Sequence, residues 1–150
     1  MRRSSVRPRR GRVVPATADL CEALIARVPP EDDADMRRGW GMSSAEAIRK
    51  SFAALGPSYM ILADGEPVGI FGCAPDGNLW MMRGEGIESV AVQFIRRAQP
   101  YFDAWLELYG HIYAFFWREN RKLLRFMEWS GFAATDLGNG YVRCDKRRRG

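Results

Sequence analysis

The stretch FFWRENRKLLRFMEWSGF, Phe115 to Phe132, changes periodicity within a few residues. HIYAFFW, from His111 to Trp117, is dense in β-branched and aromatic residues and reads as a buried strand. Beyond it, Leu123, Leu124, Met127 and Trp129 recur at helical spacing, so a helix is expected from Arg118 to Ser130. Gly131 ends that helix in a backbone conformation only glycine adopts cheaply, and Phe132 enters the core to begin the next strand. Asn120 stands at the helix head, where its side-chain amide can serve local backbone groups or point into a neighbouring cleft.

Working outward, Gly138-Asn139-Gly140 joins two short strands, FAATDL and YVRC. Upstream, Gly86 to Tyr109 has the 3.6 period, with Val90, Phe94, Ala98, Phe102, Trp105 and Leu108 expected inward and Pro100 expected to kink or divide the helix. Ser58 to Met82 alternates around Asp64-Gly65 and Asp76-Gly77-Asn78, which predicts a meander of three antiparallel strands. A short strand near Arg12 precedes a helix capped by Thr17. A second helix, capped by Ser43 or Ser44 with Glu46 as capping-box partner, runs to Leu55. Between them PPEDDADMRRGWGM reads as a polar hinge with room for a helical turn. The predicted order is β-α-α-β-β-β-α-β-α-β-β, a mixed α/β (α+β), mostly antiparallel layout on one sheet.

A chain of 150 residues, 47% hydrophobic, is enough for one packed domain. No apolar run approaches the roughly 20 residues of a membrane span. The arginine-rich start contains Pro8 and is short, which argues against an amphipathic targeting helix. Three spaced cysteines without metal-ligand spacing predict neither a disulfide framework nor a metal site and fit a reducing cytoplasm.

The net charge of +5 conceals a division. Residues 1–12 hold six arginines and no acid, and residues 143–150 hold five cations against Asp145, so the stretch between them is acidic. The expected organisation is a basic N-terminal arm at 1–11, a domain at 12–145 and a basic tail at 146–150. Arg2, Arg3, Arg7, Arg9, Arg10, Arg12, Lys146, Arg147, Arg148 and Arg149 are the candidates for contact with DNA or an acidic protein. Such arms release counterions from a polyanion without reading its sequence.

The order of elements, with Asn120 eleven residues before Gly131-Phe132, resembles the GNAT acetyltransferase superfamily, whose members often carry N-x-x-x-x-x-x-Y-x-x-x-G-F across this helix. A second resemblance lies in RGEGIE, Arg83 to Glu88, which is similar to the superfamily's Q/R-x-x-G-x-G/A loop. The resemblance implies a GNAT-like fold and acetyl-CoA as cofactor, with Met82, Arg83, Gly84, Gly86, Ile87, Glu88, Ser89 and Asn120 around it. Two departures stand out. Glu88 occupies the place of a small residue and brings a carboxylate toward the phosphates, and Met127 occupies the place of the tyrosine that serves as general acid. His111 is the candidate base and Tyr113 the candidate substitute acid.

The tract from Leu79 to Phe132 is further similar to small GNAT-like proteins of short-tailed phages, some of them internal virion proteins. That implies virion proteins as partners and the host cytoplasm or the phage particle as location. Two functions follow: a contact protein with a degraded acetyl-CoA site, or an active N-acetyltransferase on an amine acceptor.

Overall fold

A computed structural model describes residues 9–54 and 56–149; Arg2, Arg3 and Arg7 of the expected arm lie outside them. The described elements are β1 (Gly11–Pro15), α1 (Ala18–Ile25), α2 (Pro30–Trp40), α3 (Ser44–Ala54), β2 (Ser58–Ala63), β3 (Glu66–Cys73), β4 (Leu79–Arg83), a 3-10 turn (Ile87–Val90), α4 (Ala91–Tyr109), β5 (His111–Trp117), α5 (Arg121–Trp129), β6 (Ala133–Asp136) and β7 (Tyr141–Arg147). The mixed α+β class is as expected, with one helix more between β1 and β2. No described helix is long and apolar enough to cross a membrane.

The additional helix is α2, where a hinge was expected. It buries no residue, so it has no apolar stripe to read. Its signals are at its ends: Pro30 in the first turn with Glu31, Asp32 and Asp33, Arg37 and Arg38 in the last turn, and Gly41 at φ +71° closing it.

The strands form two sheets instead of one, a four-stranded sheet in the order β1-β2-β3-β4 and a three-stranded sheet in the order β5-β7-β6. The chain divides into two units. The first takes residues up to Gly72 and Met81–Arg97, the second Cys73–Trp80 and Ala98 onward.

In the first unit, β1, β2 and β3 pair antiparallel, and the β2–β3 hairpin turns through Asp64 at φ +48° and Gly65 at φ +85°. Thr17 caps α1 by accepting from the Leu20 amide at 3.2 Å. Ser43 caps α3 through the Glu46 amide at 3.1 Å, while the Glu46 carboxylate reaches back to the Ser43 amide at 3.4 Å, a capping box. Leu24, Ile48, Met60, Val68, Ile70 and Val90 are buried to 1% exposure or less, and Phe71 meets Phe94 edge-on at 5.4 Å.

In the second unit, β7 lies between β5 and β6 with antiparallel partners on both sides, and Asn78 makes an isolated parallel bridge to Tyr113. Phe102 and Trp105 of α4, Phe126 and Met127 of α5, Phe132, and Ile112, Ala114, Val142 and Cys144 of the sheet are among its buried apolar residues. Three expectations are corrected here. Of the two outcomes expected of Pro100, a kink or a division, the division does not occur: α4 runs through it, and Pro100 is exposed, as is Arg96, the residue whose carbonyl loses a donor, so water can satisfy that group. Leu108 is 70% exposed, because the stripe through Phe102 and Trp105 continues toward Tyr109. Trp129 is 67% exposed, and Phe126 takes the core position instead.

Candidate functional site

The loop after β4 is tied down before it reaches the helix. The Gly84 amide donates to the Val68 carbonyl at 2.8 Å, and the Glu85 amide to the Arg27 carbonyl at 2.8 Å. Arg27 returns a bond from Nη2 to the Glu85 carbonyl at 3.0 Å. A Cβ on Gly84 would stand 2.7 Å from Leu24 Cδ1, so a larger residue there would require the Leu24 side chain to shift. Gly86 follows at φ +96°, and its carbonyl receives both the Ser89 amide at 3.1 Å and the Ser89 hydroxyl at 2.7 Å, closing the turn that opens into α4.

The amides of Gly86, Ile87 and Glu88 have no protein acceptor among the described residues. They head a helical run that continues to Tyr109. Open amides at a helix start, reinforced by the helix dipole, form an anion site of the kind that holds a pyrophosphate. By this test the loop fits the phosphates of acetyl-CoA.

The surrounding charges are mixed. Arg83 grips Asp32 through two bonds of 2.9 and 3.2 Å and approaches Glu88 at 3.5 Å, so the carboxylate that departs from the family pattern has a partial counterion. Arg27 and Arg9 share Glu66, and Arg9 also holds Asp64 at 3.2 Å. Arg9 further donates its amide to the Ser89 carbonyl at 3.1 Å. A residue expected in an arm thus braces the loop.

The C-terminal tail is likewise shorter than expected. Lys146 and Arg147 are the last residues of β7, Lys146 Nζ donates to the Ser130 carbonyl at 2.8 Å, and Arg148 Nη1 donates to the Glu107 carbonyl at 2.6 Å. Arg10, Arg12 and Arg149 are exposed.

In the second unit, Asn120 heads α5 as expected, but its side chain makes no capping bond; its backbone carbonyl accepts from Leu124 at 3.1 Å. With φ −82° and ψ 68° it departs from the usual capping geometry. Met127 is 2% exposed, a core residue without a proton to give. Gly131, at φ +95°, and buried Phe132 hold the places the spacing assigned them.

Tyr113 donates its hydroxyl to Asp76 Oδ2 at 2.7 Å. That bond, aided by burial, raises the Tyr113 pKa, while the same bond and the Asn78 amide lower that of Asp76. A tyrosine whose proton is engaged in this way is a weaker acid, which runs against the substitute-acid role.

His111 Nε2 lies 2.7 Å from Asp145 Oδ1, and Arg143 Nε lies 3.0 Å from both oxygens of the same carboxylate. Burial pushes the Asp145 pKa up, but the bonds from His111 and Arg143 outweigh it and leave it lowered. The Arg143 guanidinium lies 4.3 Å over the Tyr113 ring. This His-Asp-Arg-Tyr-Asp group escaped the sequence because it depends on β5–β7 register, which sets Tyr113 opposite Asp145 and Phe115 opposite Arg143. The alternation of β7, with Arg143 and Asp145 set between apolar Val142 and Cys144, was the available signal.

No protein-family model matches the sequence, and no curated protein matches it either. Solved structures do match in fold. The GNAT domain of S. lividans PAT superposes with a TM-score of 0.61 at 17% identity, over 92% of this chain and 90% of that one. An acetyltransferase from Thermus thermophilus gives 0.61 at 17%, over 92% and 97%. The aminoglycoside acetyltransferase AAC(6')-Ib, solved in complex with coenzyme A, gives 0.62 at 12%, over 93% and 95%. At these identities the likeness is one of architecture, and the chain therefore has the GNAT acetyltransferase fold.

Proposed function

We propose that this protein binds acetyl-CoA at the loop from Gly84 to Ser89 and transfers the acetyl group to an amine acceptor. The observation that carries the reading is the set of three amides, Gly86, Ile87 and Glu88, without acceptors among the described residues at a helix head. The bound coenzyme would supply the activated thioester. The chain's own part is to fix the phosphates with these amides and keep the loop rigid through Arg27, Arg83 and Arg9. Met127 stands where the family places its general acid and has no proton to give, and the hydroxyl of Tyr113, the candidate substitute, is bonded to Asp76, so no acid is assigned to the departing thiolate. Holding two reactants in attack geometry still supplies several kcal/mol, so slow transfer is expected.

A second reading rests on Glu88, whose one charged partner among the described residues, Arg83 at 3.5 Å, is already engaged by Asp32. An uncompensated carboxylate about 4 Å from a phosphate costs on the order of 1 kcal/mol in water and about 4 at an effective dielectric near 20. If that cost prevails, the fold works by contact, as the phage-type resemblance implies for a virion or assembly component.

Calorimetry with acetyl-CoA on the wild type and on Glu88→Gln decides between them. Wild-type binding with a Kd on the order of micromolar, little changed by the substitution, supports the enzyme. A silent wild type with a binding Glu88→Gln variant supports the contact protein. Silence in both rejects the loop as a phosphate site.

A further inference from the structure

The helix that identified the fold carries a second pattern on its outer side. At 100° per residue, Arg121, Lys122, Arg125 and Trp129 fall within a sector of about 100° on one side of α5, and Arg118 lies in the turn that enters it. Met127 is buried on the other side, and Phe126, at the edge of that sector, is buried as well. All five of the outer residues are exposed. Among the described residues Arg121, Lys122 and Arg125 have no ion-pair partner, although Glu119 and Glu128 are on the same helix and its entry. Arg118 is bonded to Asp136 at 3.1 Å, but both side chains are 52% exposed, and such a pair contributes little and yields readily to a stronger anion.

We propose that this outer side of α5 binds the phosphate backbone of nucleic acid, with Arg121, Lys122 and Arg125 as the phosphate contacts. Concentrated positive charge on one helix side, left without internal counterions, is complementary to a regularly charged polyanion. Three of the four cations are arginines, whose planar fork matches phosphate oxygens. An anionic membrane fits less well. The apolar side of α5 is occupied by the core, so Trp129 is the one large apolar group the stripe offers, whereas interfacial helices bury a whole apolar face in lipid. Phosphate contact alone reads no sequence, and the binding is expected to be sequence-independent.

The test is fluorescence anisotropy with a labelled random-sequence DNA duplex, titrated at several salt concentrations on the full chain. Each of Arg121→Gln, Lys122→Gln and Arg125→Gln is expected to weaken binding roughly five- to tenfold at 0.1 M salt and to reduce the logarithmic salt slope by about 0.9. These side chains are exposed and unpartnered among the described residues, so the unfolding temperature should not move; a variant that unfolds is replaced by the corresponding alanine. The proposal is overturned if the triple variant retains the wild-type slope while removal of residues 1–8 abolishes it. It is equally overturned if the wild type does not bind the duplex, or binds polyglutamate or phosphatidylserine vesicles instead.

Discussion

β3 and β5 look alike as strings, EPVGIFGC against HIYAFFW, and the second is the more aromatic. In the structure they differ. Every residue of β3 after Glu66 is buried, as are Met60 to Ala63 of β2. In β5, Ile112 and Ala114 are buried while His111, Tyr113, Phe115 and Trp117 stand on the other side, half-buried or exposed. The difference teaches that apolar letters alone do not decide whether a strand is covered on both faces. Its neighbour decides. β7 alternates Val142 and Cys144 with Arg143 and Asp145, and since paired residues share a face, the charges of β7 mark the open side of β5.

The largest expected effect tests this contrast directly. Ile70→Ala in β3 removes a fully buried side chain and should cost about 2 to 5 kcal/mol in urea unfolding. Phe115→Ala in β5, a larger truncation at a site 39% exposed, should cost about 1 kcal/mol, chiefly its edge contact with Tyr113. Equal losses would break the comparison.

A smaller effect is expected from the polar network on the open face. Asp145→Asn should cost about 1 to 2 kcal/mol near neutral pH, because the carboxylate accepts bonds from Arg143 and His111 while only partly shielded. Since the Asp145 pKa is lowered on folding, its contribution is fully present above the carboxylate's unfolded value, about 3.9, and disappears as pH falls through the folded value. The stability gap between wild type and Asp145→Asn should therefore close on acidification below about pH 4, and unfolding curves between neutrality and about pH 2 would show it. A gap that persists at low pH would mean that packing, not ionic bonding, sets the cost.

What could be read from the sequence was local. Thr17, the Ser43–Glu46 box, Asp64-Gly65 and Gly131 announce their elements through neighbours within a few residues, and each is where its chemistry predicted. The loop was legible for the same reason, as glycines before a helix. Its supports were not: Arg83 to Asp32 and Arg27 to the Glu85 carbonyl join residues 51 and 58 positions apart. α2 was missed because it lacks an apolar stripe, although Pro30, its acidic first turn and Gly41 were in view. Arg9, Lys146 and Arg148 looked like free cations until the tertiary structure supplied their acceptors. For these supports and cations the deciding partner was remote, and composition gave no hint of it.

The smallest expected effect concerns two of the three thiols, one at the end of β3 and one inside β7. Burial pushes the Cys73 thiol up to about 12 and the Cys144 thiol up to about 11, so neither should be alkylated in the native protein at about pH 8. Reaction then requires opening, and in an opened segment both thiols return to ordinary reactivity, so the order of labelling reports the order of opening. Cys144 sits in a three-stranded sheet whose edge, β6, has four residues, all exposed. Cys73 ends a strand buried along nearly its whole length. In urea below the main transition, mass spectrometry of iodoacetamide-treated protein should find Cys144 modified a few-fold faster than Cys73. If Cys73 is labelled first, two-sided burial does not confer the greater local protection inferred from it, and the contrast between the two sheets is one of exposure only.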